Sequence, residues 1–365
     1  MDIDQDHQSE IHNVHERLTE EIYSTPGMLP NRYVYILTNL CNLKCNWCYI
    51  ARDKRKDAMT PEQWIHLTRQ LPSYARVTVT GGEPLIYPGF KEVFSEIAEK
   101  HDCNIISNGL SLTKEISDFI LSYPRFSVLS ISVDNIGNTI RDVPYEKWKK
   151  TEEQLRYFAQ RKKEVNPKSV LDIKTTVLEG NAHQLLDIHR YCVEDLKCDT
   201  HVFQFLKGSP LQHADTLFEF DEIFKRRAAP AFSSTTFEVI KDQLEQIKKY
   251  NQQNGQISFL HPKVDSLISG NSPLEINCLN EQYHIRENYQ SCKYPWSSVH
   301  INVDGNLFPC LAVPIGNVQN ESLTDIINGE KMRKFREIIK EKKTVEACNR
   351  CGWLKFDSDK KSREI

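Results

Sequence analysis

The chain has 365 residues, 39% of them apolar, and a formal net charge of −3. That length supports one large α/β domain and a smaller one, and the balance of acidic and basic residues points to neither nucleic acid nor an anionic membrane as partner. No apolar stretch approaches the roughly 18–20 residues that span a bilayer, and Met1–Glu21 has no apolar signal region, so the expected location is the cytoplasm. In that reducing compartment the eleven cysteines are expected to ligate metal rather than to pair as disulfides.

Residues 1–31 read as a polar lead-in with a short helix, Ser9–Tyr23, ending before Pro26. From 32 to 207, short β-branched or aromatic runs alternate with amphipathic stretches. The strand candidates are Tyr33–Thr38, Arg76–Thr80, Asn104–Ser107, Phe126–Val133, Val170–Val177 and His201–Leu206. The helix candidates are Pro61–Leu71, Phe90–Lys100, Leu112–Tyr123, Tyr145–Lys163 and Asn181–Leu196, with starts marked at Thr60-Pro61 and at Asn181. Six strands alternating with helices predict a parallel sheet with right-handed crossovers. Six repeats fall short of a closed eight-stranded barrel, so the expected fold is a partial (β/α)6 barrel with its chemistry at the C-terminal strand ends. Residues 208–277 read as a charged, helical connecting segment that includes Phe237–Tyr250. Residues 278–365 form a smaller cysteine-rich α+β unit, with a hairpin turning at Asp304-Gly305 and a helix over Leu323–Lys342.

Cys41, Cys45 and Cys48 lie in one loop just after the first strand candidate. A four-iron cluster normally takes four cysteines; three leave one iron open to a ligand. A zinc loop is the rival, although zinc favours paired Cys-x-x-Cys clips and a complete ligand set. Thr80-Gly81-Gly82-Glu83-Pro84 closes the second strand candidate. Its glycines permit close backbone approach, Pro84 fixes the turn, and exposed carbonyls with Glu83 suit an ammonium group. Taken alone, the motif also reads as an ordinary strand-to-helix turn.

Together these residues resemble the radical S-adenosylmethionine superfamily: its CxxxCxxC loop at Cys41, Cys45 and Cys48, with the aromatic Trp47 before the last cysteine, and its GGEP motif at Gly81, Gly82, Glu83 and Pro84. The resemblance implies a four-iron four-sulfur cluster whose open iron chelates S-adenosylmethionine. It also implies one-electron cleavage of that molecule to a 5′-deoxyadenosyl radical that takes a hydrogen atom from substrate, the cofactor supplying the chemistry and the protein the orientation. Asn108, in Ser107-Asn108-Gly109, resembles the family's T-N-G, and Ser132 with Asp134 its S-x-D, within reach of the cofactor's ribose or carboxylate. Arg141 is read either as a partner of the methionyl carboxylate or as a surface salt bridge. Gln204 either faces the cavity or is satisfied locally.

Cys292, Gly305, Cys310 and the pair Cys348-Cys351 resemble the superfamily's SPASM/Twitch extension. No cysteine follows Cys351, so the match is to the shorter Twitch form with one auxiliary four-iron cluster on Cys292, Cys310, Cys348 and Cys351; by chemistry alone the four sulfurs also suit zinc. Two clusters and S-adenosylmethionine are thus the implied cofactors, with a flavodoxin- or ferredoxin-like electron donor. Cys278 is left over, either packed in the interior or serving as a hydrogen-atom donor, as in the superfamily's epimerases. The leading expectation is two-electron dehydrogenation of a small polar molecule such as a sugar or aminocyclitol. The alternatives are a radical peptide maturase or epimerase, which the roughly forty residues before the first cluster, too few for a leader-recognising domain, make the weaker expectation, and a non-catalytic cluster or zinc protein.

Overall fold

The computed structural model describes residues 3–48, 58–205, 234–255, 257–260, 290–309 and 313–343. The elements in chain order are α1 (Ile3–Ser24), β1 (Arg32–Ile36), α2 (Pro61–Thr68), β2 (Arg76–Thr80), α3 (Phe90–Lys100) and β3 (Asp102–Ser107). Next come α4 (Lys114–Leu121), β4 (Phe126–Ser132), α5 (Tyr145–Val165), β5 (Val170–Val177), α6 (Leu185–Arg190) and β6 (Thr200–Phe205). The chain ends through α7 (Ser234–Asn254), β7 (Ile257–Leu260), α8 (Tyr294–Ser297), β8 (Ser298–Ile301), β9 (Asn306–Pro309), β10 (Gly316–Asn317), α9 (Leu323–Asn328) and α10 (Glu330–Lys342).

Strands β1 to β6 pair in parallel and in sequence order, as the alternation of elements predicts. Among the described residues they lie within one ten-stranded sheet, ordered β10-β9-β8-β1-β2-β3-β4-β5-β6-β7. The sheet does not close there: β10 and β7 are its edges, which makes the barrel partial. Strand β7 lies inside the segment read as a helical connector and adds to β6 in parallel; four residues after Gly255 are too few to give a periodic signal. The hairpin of β8 and β9 joins the opposite side, with β8 parallel to β1.

Helix α2 starts where the sequence places it. The Thr60 hydroxyl accepts from Gln63 N at 3.4 Å, and Gln63 Oε1 accepts from Thr60 N at 2.8 Å, closing a capping box. The single helix expected over Leu323–Lys342 is two, α9 and α10, because Gly329 between them is extended, with φ −70° and ψ 166°. Odd-numbered strand residues such as Tyr35, Val79, Ile105, Leu129 and Ile173 are buried in the hydrophobic core together with Trp64, Phe94, Leu155 and Phe158 of the helices. The even-numbered face also carries polar groups: the buried Asp172 carboxylate accepts from Ser130 Oγ at 2.8 Å and from Thr200 Oγ1 at 2.7 Å, and Lys174 Nζ lies 3.3 Å away. A smaller cluster of Ile22, Trp296, Phe335 and Ile339 ties α1 to α8 and α10. Among the described residues, no helix is long and apolar enough to cross a membrane.

Candidate active site

Cys41, Cys45 and Cys48 are half-buried free thiols in the loop that leaves the C-terminal end of β1. Backbone bonds root that loop in the sheet: beyond Ile36 the β1–β2 ladder continues as Leu37 N to Thr80 O (3.0 Å), Gly82 N to Thr38 O (2.6 Å) and Glu83 N to Leu40 O (2.9 Å). The two glycines exist for this contact. A Cβ on Gly81 would stand 2.5 Å from the Thr38 carbonyl oxygen, and one on Gly82 2.2 Å from that of Leu40. The close approach read from the sequence is therefore made to the cysteine loop.

Glu83 is fully buried. Its Oε1 accepts from Ser107 Oγ at 2.8 Å and Leu85 N at 3.1 Å, and its Oε2 from Asn108 N at 2.8 Å. It thus braces the ends of β2 and β3, while the adjacent buried Pro84 opens a tight turn to Ile86. Gly109, at φ 81°, takes the left-handed turn that follows Asn108. Burial pushes the Glu83 carboxyl up to about 7, against the lowering influence of its three donors. A carboxyl raised above its unfolded value stabilises the fold most in acid and loses that contribution as pH rises through about 7. Glu83→Gln sets an amide donor against backbone donors and is expected to cost about 1–3 kcal/mol in acid. The gap should narrow between about pH 5 and about pH 8, read from urea midpoints; a gap constant with pH refutes this role for Glu83.

Asn108 Nδ2 donates to Asn42 Oδ1 at 2.7 Å and lies 3.6 Å from Cys41 Sγ, which also meets Leu43 N at 3.4 Å. Ser132 ends β4, and its carbonyl accepts from Asn138 Nδ2 at 3.1 Å. Asp134 is fully buried; Oδ1 accepts from Thr176 N and Oδ2 from Arg141 Nε, both at 2.7 Å. Arg141 therefore makes a buried ion pair, which corrects the surface alternative. Asn138 (φ 51°) and Asp142 (φ 56°) in this loop are left-handed. The Arg141 guanidinium reaches within 3.8 Å of Cys45 Sγ and lies 5.8 Å from the centre of the Trp47 ring. Burial works against its charge, but Asp134 and the Cys45 and Cys48 sulfurs outweigh that and raise its pKa. Gln204 is half-buried near the end of β6, paired in register with Thr176.

Asn138 and Thr176 are site residues that the sequence does not mark, and it marks Asn181 only as a helix start. Asn181 does stand there, ahead of the short helical turn Ala182–Gln184, and its Nδ2 donates to Asp134 O at 2.7 Å and Thr176 O at 2.9 Å, fastening the C-terminal ends of β4 and β5. No spacing rule marks a polar residue that bonds backbone from an adjacent loop.

The donor set suits a cluster. The Cys41 and Cys45 sulfurs face N–H groups and a cation, which match negatively charged thiolates. Burial, then the nearby Glu83, Cys48 and Cys45, raise the Cys41 thiol despite the Leu43 N–H, so a metal that offsets the charge of its thiolate favours its ionisation. Among the described residues no three His, Cys, Asp or Glu side chains converge on a single ion; in a four-iron cluster each thiolate takes a different iron. Of the second cysteine set, Cys292 is half-buried ahead of α8, while Cys310, Cys348 and Cys351, like Cys278, lie outside the described residues. Pro309 pairs with Val299, beside Tyr33 near the start of β1.

Comparison with known proteins agrees with this arrangement. Residues 35–192 match the model of the radical SAM superfamily, and residues 292–352 match SPASM, an iron–sulfur cluster-binding domain. The sporulation killing factor maturation protein SkfB of Bacillus subtilis is 24% identical over 83% of this chain, an alignment that spans 66% of SkfB and so just under two thirds of it. The GTP 3′,8-cyclase of Trichodesmium erythraeum is 22% identical over 83% of this chain and 88% of its own length. Among solved structures, Streptococcus suis SuiB bound to S-adenosylmethionine aligns with a TM-score of 0.61 at 15% identity, over 85% of this chain and 68% of that one. Native anSMEcpe with bound AdoMet and Cp18Cys peptide aligns with a TM-score of 0.56 at 15% identity, over 88% of this chain and 86% of that one. At such identities the structures speak to the fold. The two family models together span more than half of the sequence, and with the cysteine loop seated at the C-terminal strand ends, the chain belongs to the radical SAM superfamily and carries a SPASM iron–sulfur cluster-binding domain.

Proposed function

We propose that this enzyme modifies a peptide. The observation that carries the reading is the alignment with SkfB, by name a maturation protein, which runs through 83% of this chain. The fold shared with SuiB, which has also been solved bound to its precursor peptide SuiA, supports it. The expected dehydrogenation of a sugar or aminocyclitol finds no support among these relatives and gives way to what was the alternative. A nucleotide substrate is the second reading, resting on the GTP 3′,8-cyclase alignment.

In this reading Cys41, Cys45 and Cys48 hold a four-iron cluster, and S-adenosylmethionine lies against Trp47, Gly81–Pro84, Asn108, Ser132, Asp134 and Gln204. Cys292, Cys310, Cys348 and Cys351 hold a second cluster, and a flavodoxin- or ferredoxin-like protein supplies electrons. When bound, cluster and S-adenosylmethionine supply a 5′-deoxyadenosyl radical. The protein's own part is to brace the cysteine loop through Gly82 and Glu83 and to present the polar face around Asp172 and Lys174 to the substrate.

Anaerobically reconstituted, reduced enzyme is expected to form 5′-deoxyadenosine slowly with S-adenosylmethionine alone and faster with a random peptide library. Stimulation by GTP or by sugars, and by no peptide pool, overturns the peptide reading. Once a peptide is found, crosslinking gives a product two hydrogens lighter. Epimerisation leaves the mass unchanged in ordinary water and adds one deuterium from heavy water. Cys278→Ala blocks product only in the second case.

A further inference from the structure

The Arg141 guanidinium is held on three sides. Its Nε is fixed by the buried Asp134 carboxylate at 2.7 Å, its Nη1 faces Cys45 Sγ at 3.8 Å, and Trp47 lies beneath it, 5.8 Å from guanidinium carbon to ring centre. Asp134 is in turn locked by Thr176 N on its carboxylate and by Asn181 on its carbonyl, each at 2.7 Å. Swinging Arg141 away from Asp134 would leave the carboxylate a buried, uncompensated charge, a strongly unfavourable change. The fork is oriented toward the sulfur.

We propose that Arg141 is a positioning residue for the cluster: its fixed cation bonds the Cys45 sulfur and makes the cluster easier to reduce. The inference rests on the reading that Cys41, Cys45 and Cys48 hold a four-iron cluster. Reduction adds negative charge to the cluster and its thiolates, and a donor held at a ligand sulfur favours the reduced form, as hydrogen bonds to cluster sulfurs do generally. The bond is charge-assisted, so it outweighs a neutral donor. Asn108, whose amide lies 3.6 Å from Cys41 Sγ, supplies that neutral comparison within the same site.

The test is a redox titration of the reduced cluster, followed by electron paramagnetic resonance before S-adenosylmethionine is added. The cluster is identified as the one whose signal changes on adding S-adenosylmethionine and is missing when Cys41, Cys45 and Cys48 are all alanine. Arg141→Gln is expected to keep its iron and to titrate at a clearly more negative potential, with Arg141→Lys shifted less and Asn108→Ala less than Arg141→Gln. An unchanged potential in Arg141→Gln, with weaker binding of S-adenosylmethionine, overturns the proposal in favour of a carboxylate ligand. Should Arg141→Gln take up no iron, Arg141→Lys decides: cluster uptake near the wild-type potential supports a role for the charge, and loss of the cluster there too reduces Arg141 to packing against Trp47. A wild type without any signal that responds to S-adenosylmethionine fails the cluster reading itself, an outcome separate from a normal cluster indifferent to Arg141.

Discussion

Replacing Cys41, Cys45 and Cys48 together with alanine is expected to abolish 5′-deoxyadenosine formation and to lower the iron content of the anaerobically reconstituted protein from about eight to about four per chain. The three thiols occupy one half-buried loop, and Ala at any of them removes a ligand that no neighbouring side chain can replace. Methionyl and adenosyl products of S-adenosylmethionine should then be undetectable, while the iron that remains reports on Cys292, Cys310, Cys348 and Cys351. A wild type with about four irons and one zinc would reject the second iron–sulfur cluster and leave the first untouched. A triple variant that loses no iron would mean that the first cluster does not sit on this loop. Chain stability, followed by thermal unfolding, should change little in the metal-free state, because the loop is fastened by Gly82 and Glu83 rather than by its thiols.

The parallel sheet was legible in the sequence because each of its first six strands is a β-branched or aromatic run bounded by helix signals, and each expected strand overlaps an observed one. Thr60-Pro61 marks a helix start in full view, since a capping box is a local device. What sequence could not show depends on contacts between distant segments. The GGEP turn announces that Gly82 must be small, but only the structure says that the neighbour is the Leu40 carbonyl. Nor does the sequence show that Ser107 and Asn108, more than twenty residues on, donate to the Glu83 carboxylate. For Arg141 the sequence leaves the partner open, because its loop includes left-handed Asn138 and Asp142, and Asn and Asp occupy that conformation too rarely to be read from a single chain. Strand β7 was missed for the opposite reason: its partner, β6, is clear, but four residues give no alternation to count.

The second large effect is expected from one methyl group. Gly82→Ala puts a Cβ 2.2 Å from the Leu40 carbonyl oxygen and 2.6 Å from its carbon. Both atoms are backbone, so no flexible side chain can move aside; either the Gly82 N to Thr38 O bond or the Glu83 N to Leu40 O bond must break. Forcing atoms into a packed site typically costs about 1–3 kcal/mol, occasionally more, and the strain here falls on the backbone bonds between the cysteine loop and the end of β2. We therefore expect Gly82→Ala to take up the first cluster poorly and to form less than a tenth of the wild-type 5′-deoxyadenosine, a loss of roughly 1.4 kcal/mol or more at the site. Gly180→Ala is the control. Its Cβ would meet nothing within 4 Å, so its stability should stay within about 0.5 kcal/mol of wild type with iron content and turnover intact. If Gly82→Ala instead binds iron normally and turns over like Gly180→Ala, the loop relaxes freely around the methyl group, and the close contact with Leu40 is not what holds the cysteines in place.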